Sequence, residues 1–284
     1  MTEPIKASFE KDDHINRETR ALSALIVPFL VTAFVILYFL PDDTGQLFAW
    51  PIKPPMTSFL LASAYLGGAY FFVRVIFLRR WHEVEIGFIP VTTFALMMLA
   101  ATVLHWNRFS HGNVAFWAWA SIYATTPALV LAAWLRNRGT DPKVPESTND
   151  VLPKWVRAAL GIMGVFVFAA GLLLFAVPDL LVRFWPWPLT PLTARVVGTC
   201  FALTGVFGLS IVRDQRWSAA RIALQSQGFG VALILVGSAR AWATFDHANA
   251  FSWLFIGGLA ALLLGIGALY TVMERRVADN PGPN

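Results

Sequence analysis

The sequence predicts an all-α membrane protein, a polytopic helical bundle of eight transmembrane helices arranged as two tandem four-helix repeats in parallel orientation. Three observations lead there. The chain is 57% hydrophobic and only 14% charged, with a mean hydropathy of +0.59, more apolar than a water-soluble core requires. Its apolar residues arrive in blocks of roughly 18 to 24, the length that crosses a hydrocarbon layer of ~30 Å at ~1.5 Å per residue. The chain also matches itself at an offset of 136 to 137 residues, as a duplicated unit would.

The eight blocks cover residues 21–40, 58–78, 86–104, 114–135, 156–177, 196–212, 222–239 and 250–273. A helix satisfies its own backbone polar groups in lipid, and no alternating ten-residue pattern suggests a barrel. The blocks divide the chain into an N-terminal segment at 1–20, a first repeat at 21–135, a linker at 136–154, a second repeat at 155–273 and a tail at 274–284. The linker contains GTDPKVPESTND and is rich in proline and charge, a composition that favours a connecting segment. Pro28, Pro90 and Pro127 interrupt three spans of the first repeat and have no proline counterpart in the second, so any kinks are expected to be asymmetric.

The net charge of +5 is spread over short loops and reads as topology rather than as a nucleic-acid surface. Assigning the 22 Lys and Arg to alternate sides leaves 17 with the termini and the linker and 5 opposite. The positive-inside rule then puts both termini in the cytoplasm of a plasma (inner) membrane, multi-pass. Twenty polar residues precede the first span and no small-residue cleavage pattern follows it, so that span is expected to be retained as an anchor. The single cysteine, Cys200, falls inside the sixth span, which excludes an intrachain disulfide and a CxxC zinc or redox motif.

The repeat is carried by uncommon residues. Pro41, Asp42, Trp50, Pro51 and Pro54 match Pro178, Asp179, Trp187, Pro188 and Pro191, and Arg80 with Trp81 matches Arg216 with Trp217. Trp106, Phe109, His111, Asn113 and Trp117 fall on Trp242, Phe245, His247, Asn249 and Trp253, five coincidences within twelve positions. An even number of spans per copy inserts both the same way, related by a pseudo-two-fold axis along the membrane normal. The stretch FWPWPLTPLTAR from Phe184, with its weaker copy after Phe48, resembles uncharacterised bacterial membrane proteins in which a four-helix unit is duplicated. The resemblance implies the fold and no activity.

Candidate site residues gather on the side opposite the termini. Trp50, Trp187, Trp106, Trp242, Trp117 and Trp253 suit an interfacial aromatic belt, with a stacking platform for a ligand as the sharper alternative. Thr57, Thr193, Asn113 and Asn249 stand at span entrances and are expected to cap helices. Arg80 with Trp81 and Arg216 with Trp217 read as interface anchors on the terminal side. Gln225 and Gln227 are too polar to face lipid and must find an interhelical partner or line a cavity. Gly257, Gly258, Gly265 and Gly267 would permit close helix approach in the last span.

His111 and His247 lie in outer loops where the pseudo-axis could bring them together, with His105 nearby and Asp246 able to orient His247. As metal ligands they form a thin set, lacking thiolates and the usual spacing; no cofactor is expected. A ligand site, if present, would thus draw on His105, Trp106, His111, Trp242, Asp246, His247, Gln225 and Gln227.

No Asp, Glu or Lys lies near the middle of a span, where ion-coupled carriers place one, and no catalytic motif occurs. Enzyme chemistry is therefore disfavoured. The leading reading is a non-enzymatic subunit, assembly factor or scaffold, whose partners are the lipid bilayer and other membrane-protein subunits, with no nucleic acid. A passive channel or carrier for a small uncharged or lipophilic solute is the alternative, and a polar cavity lined by Gln225, Thr92, Thr93 or Thr204 would distinguish it. A membrane enzyme or binder of lipid or quinone comes third.

Overall fold

The computed structural model describes residues 11–144 and 151–279; the first half, 1–10, of the predicted N-terminal segment at 1–20, the linker residues 145–150 and the end of the tail, 280–284, lie outside them. Among the described residues, eight helices are long and apolar enough to cross a membrane. They are α1 Arg17–Phe39, α2 Pro55–Phe77, α3 Glu85–Leu104, α4 Val114–Asn137, α5 Lys154–Ala176, α6 Pro191–Arg213, α7 Trp217–Arg240 and α8 Ala250–Ala278. Extended structure among the described residues is limited to two isolated bridges, His14 with Arg80 and Val151 with Arg216. The protein is an all-α polytopic bundle.

Local chemistry fixes the helix starts. Asn113 and Asn249 cap α4 and α8 as expected, each accepting a backbone N–H two residues on, from Ala115 at 3.0 Å and Phe251 at 2.9 Å. Their amide nitrogens donate to the preceding loops, Asn113 to Gln46 O and Asn249 to Phe184 O. The expected threonine caps sit differently. Pro54 and Thr190 are the N-caps of α2 and α6, and Thr193 completes a capping box with Thr190, whereas Thr57 accepts the indole N–H of Trp187 at 2.9 Å. Helices α1, α3 and α4 run on through Pro28, Pro90 and Pro127.

Packing is shared between the first four helices and the last four. Hairpins form from α1 with α2, α3 with α4, α5 with α6 and α7 with α8, and they join because α2 packs along α7 and α3 along α6. Hydrogen bonds seal these contacts: Ser226 donates to Gly67 O at 2.7 Å, and Tyr38 donates to Leu233 O at 3.0 Å. The tightest interface is that of α5 with α6. A Cβ added at Gly171 would lie 2.6 Å from Gly198 O, and one at Gly205 2.5 Å from Phe168 N. These two backbones touch, which only glycine permits. The glycines expected to do this work lie elsewhere: Gly257, Gly258, Gly265 and Gly267 in α8 have open space where a Cβ would stand.

Two of the six tryptophans expected at the membrane interface form part of the core instead. Trp50 and Trp187 are buried and ringed by aromatics, Trp50 against Phe109 and Trp119 at 5.1 and 4.9 Å, Trp187 against Phe245 and Phe255 at 5.3 and 5.1 Å. Such pairs contribute about 0.5–1.5 kcal/mol each beyond area burial. Trp106, Trp117 and Trp253 do reach the surface. On the terminal side Trp81 and Trp217 are also buried, and Arg216, 2% exposed, is no snorkelling anchor.

Arg216 instead holds a buried clamp. Its guanidinium donates to both oxygens of Asp141, at 2.9 and 2.6 Å, and to Asp214 at 2.5 Å, while Lys143 bridges Asp141 at 2.9 Å and Glu85 at 2.5 Å. Asp141 is fully buried. Burial alone would raise its carboxyl pKa, but the Arg216 hydrogen bonds, with help from Lys143, hold it well below the usual carboxylate range. The linker thus begins as a structural wedge between α3 and the α6–α7 turn. Removing one partner of such a buried pair costs about 3–5 kcal/mol because the other charge is left stranded.

Gly171→Val and Gly205→Val are each expected to lower stability by roughly 1–3 kcal/mol through overpacking. Thermal unfolding in detergent should show a reduced midpoint for both and an unchanged one for Gly265→Val in α8.

Candidate functional site

The loops at the end of the bundle opposite the termini form two separate aromatic knots. In one, His111 packs on Trp106 and Phe116, ring centroids 5.1 and 4.7 Å away, and its carbonyl accepts the Trp117 indole N–H at 2.9 Å. In the other, His247 stacks on Trp242 at 4.7 Å, its Nε2 lies 3.1 Å from Trp242 O, and its carbonyl accepts from Trp253 at 3.1 Å. Among the described residues no hydrogen bond or ring contact joins the knots, and no group of three His, Cys, Asp or Glu could hold a metal ion. Asp246 does not orient His247: its Oδ1 accepts the Ala248 N–H at 3.0 Å, and its backbone ties to Pro186 O and Ser252 Oγ.

His105 is the histidine that bridges the two sets of helices. At the end of α3, its Nε2 lies 2.7 Å from Nη1 of Arg195 in α6. Arginine only donates, so Nε2 is the acceptor and its lone pair is occupied. Burial, with the positive charges of Arg195 and Arg108, pushes the His105 pKa below its ordinary 6.5, keeping the ring neutral at pH 7. The arrangement caps an arginine at the end of the bundle opposite the termini.

Inside the bilayer region, the two glutamines separate. Gln225 is fully engaged: Tyr70 donates to its Oε1 at 2.6 Å, and its Nε2 donates to the Tyr270 hydroxyl at 2.7 Å, a polar string linking α2, α7 and α8. Gln227 makes no hydrogen bond among the described residues and lines a cavity of about 460 Å³. Spacing already implied the split, since residues two apart on a helix point to different faces.

The cavity lies where α6 and α7 meet α2, with α5 and α8 as outer walls; α5 and α8 are not among the packed pairs. Met163, Phe251 and Leu254 of its lining are exposed on the flank of the bundle, by 37, 51 and 68%, so it opens sideways toward lipid. Its polar hydroxyls are spent on backbone: Ser63 donates to Phe59 O at 2.7 Å, Thr204 to Cys200 O at 3.2 Å, and Ser226 to Gly67 O. Thr92 and Thr93 likewise bond back to Phe88 and Ile89 and are not part of its lining. What remains is an apolar chamber with the Gln227 amide in its wall and the buried, unpartnered indole N–H of Trp185 beside it.

The hollow lies where small side chains and glycine line the helices. At the 136-residue offset, Phe94, Trp119 and Tyr123 stand where Gly230, Phe255 and Leu259 line the cavity. In the first four helices those aromatics fill the interior, Trp119 on Tyr123 at 4.4 Å and Tyr123 hydrogen-bonded to Tyr65 at 3.0 Å. Sequence reasoning singled out Gln227 and Thr204 but missed Gly230, whose lack of a side chain leaves space in the wall.

Fold and cavity together define a multi-span α-helical membrane protein with a lipid-facing apolar chamber. Comparison with protein-family models, curated proteins and solved structures gave no match.

Because the folded pKa of His105 is depressed, the native state binds fewer protons there than the unfolded chain, and stability is expected to fall as pH drops below about 6.5. Imidazole NMR resonances of His105 should titrate below that value in the wild type and return toward it in Arg195→Gln.

Proposed function

We propose that the protein binds a lipophilic molecule carrying one uncharged polar group, seated in the chamber between α5–α6 and α7–α8. The observation that carries this reading is the chamber's construction: about 460 Å³ of space with an apolar lining, a sideways opening and one free amide at Gln227. An apolar chain gains by leaving the disordered lipid phase only if it is well packed, and a site with few convergent polar groups orients it. A conduit for polar solutes finds less support, since Gln225, Thr92, Thr93 and Thr204 are all engaged within the protein.

Association as a subunit or scaffold is the second reading. It is favoured by α8, which keeps Gly257 and Gly265 open on a helix with little burial.

A duplicated origin belongs to the same proposal. Its support is that α2, α3–α4 loop and α4 motifs recur in α6, the α7–α8 loop and α8 at 136 residues, while α1 and α5 share both bounds at 137. Divergence of one copy toward an open interior is how a fused pair of like units acquires a single site.

Gly230→Leu should fill the chamber: a Cβ there meets only Ser63 O at 3.4 Å, so the helix itself is undisturbed. Purified protein exposed to a diazirine-bearing fatty alcohol should be labelled on α5 and α8, with labelling reduced about tenfold in Gly230→Leu, or ~1.4 kcal/mol of binding. Equal labelling of variant and wild type would overturn the reading.

The proposed orientation, with both termini cytoplasmic in a plasma membrane, rests on the 17 to 5 distribution of Lys and Arg. Reporter fusions after Leu135 and after Met273 should both report cytoplasm.

A further inference from the structure

A second cavity, of about 290 Å³, lies at the terminal-side end of the bundle, between the start of α3, the end of α4, the start of α5 and the end of α6. We infer that it is a binding site for the phosphodiester headgroup of an anionic phospholipid, distinct from the apolar chamber and independent of what that chamber holds.

Charge is the first argument. Lys143, Arg157, Arg213 and Arg216 stand against the three carboxylates Glu85, Asp141 and Asp214. Lys143 and Arg216 are consumed by those carboxylates. The side chains of Arg157 and Arg213 make no hydrogen bond or ion pair among the described residues, and the Arg157 Nε–H is buried without an acceptor. Counted over the described residues, the cluster therefore carries one more positive than negative charge and two guanidinium groups without a partner. A phosphodiester supplies one negative charge and two unesterified oxygens, which match a guanidinium fork.

Position is the second argument. Beside the charged floor stand Ile86, Ile89 and Trp134, one turn or so deeper along α3 and at the end of α4. A headgroup on Arg157 and Arg213 would lay its acyl chains along these residues toward the bilayer interior. The interfacial height suits an arginine whose stem is apolar and whose head seeks phosphate. A free phosphate ion would use the same arginines but none of this apolar wall, so the lipid is the ligand assigned.

The test uses the full-length protein in a neutral maltoside detergent, with native mass spectrometry and thermal unfolding as readouts. The probes are dioctanoyl phosphatidylglycerol, dioctanoylglycerol and inorganic phosphate. Phosphatidylglycerol should bind and raise the unfolding midpoint, with the other two leaving it unchanged. Arg157→Gln with Arg213→Gln should lower phosphatidylglycerol affinity about tenfold or more, and Arg79→Gln, an exposed arginine on the same side, should leave it unaltered. Arg213 is also exposed, so Arg213→Gln alone carries the test if Arg157→Gln does not fold. Gly230→Leu should retain phosphatidylglycerol binding, which separates this site from the apolar chamber. Phosphate alone reproducing the shift, or the arginine variants binding phosphatidylglycerol as the wild type does, would overturn the assignment.

Discussion

The packing of α2 along α7 and of α3 along α6 organises everything else in the molecule. In a bilayer, apolar side chains gain nothing by leaving lipid for protein, so helices associate through close packing and hydrogen bonds. The protein meets that requirement across the two sets of helices. Small residues let α2 and α7 approach at Gly67 and Ser226, and Trp187 reaches from one loop into the start of α2 to bond Thr57. His105 and Arg195 add a bond between α3 and α6 at the end opposite the termini, and at the terminal end Arg216, before α7, bonds Asp141 in the linker.

Within this frame the two interiors differ in how far side chains fill them. Phe94, Trp119, Tyr123 and Tyr65 fill one, and Gly230, Phe255, Leu259 and Phe201 leave the other hollow. The outer helices follow the same division. At the terminal end α1 and α4 are tied by Asn137 donating to Thr19 at 2.6 Å and by an ion pair of Arg136 with Glu18. Helices α5 and α8, lacking such a tie among the described residues, form the two sides of the lateral opening.

Much of this is legible in the sequence, and what is not shares a cause. Span positions follow from length and apolarity, which bilayer thickness fixes, and the Asn113 and Asn249 caps follow from backbone chemistry at a helix start. Burial does not follow from either. Trp50 and Trp187 have the composition of belt residues, but the Pro-rich loops that carry them fold inward and put the indoles under other rings. The glycines of α8 looked like a packing face, yet lipid tolerates an open glycine, and the backbone contact fell to Gly164, Gly171, Gly198 and Gly205. Asp141 and Lys143 sat in a stretch whose composition reads as solvated linker; only their partners, Glu85 and Arg216, distant in sequence, make them structural. Of the site residues, Gln227 was visible as a polar group needing a destination, while the chamber was not, because a void is defined by side chains that several helices fail to supply.

The crossed pairing of α2 with α7 and α3 with α6 also bears on biosynthesis. A ribosome delivers α1 to α4 first, and these already touch through Phe71, Phe72 and Phe88, but their close-packing partners have not yet been made. The nascent half must wait in the bilayer with its inner faces on lipid until α6 and α7 arrive between its hairpins. Asp141, buried in the finished protein, emerges before Arg216 and must remain at the water boundary in the interval. The pair of Lys143 with Glu85 is available from the start, that of Arg216 with Asp141 follows once α6 is complete, and the contacts of α8, such as Gln225 with Tyr270, come last.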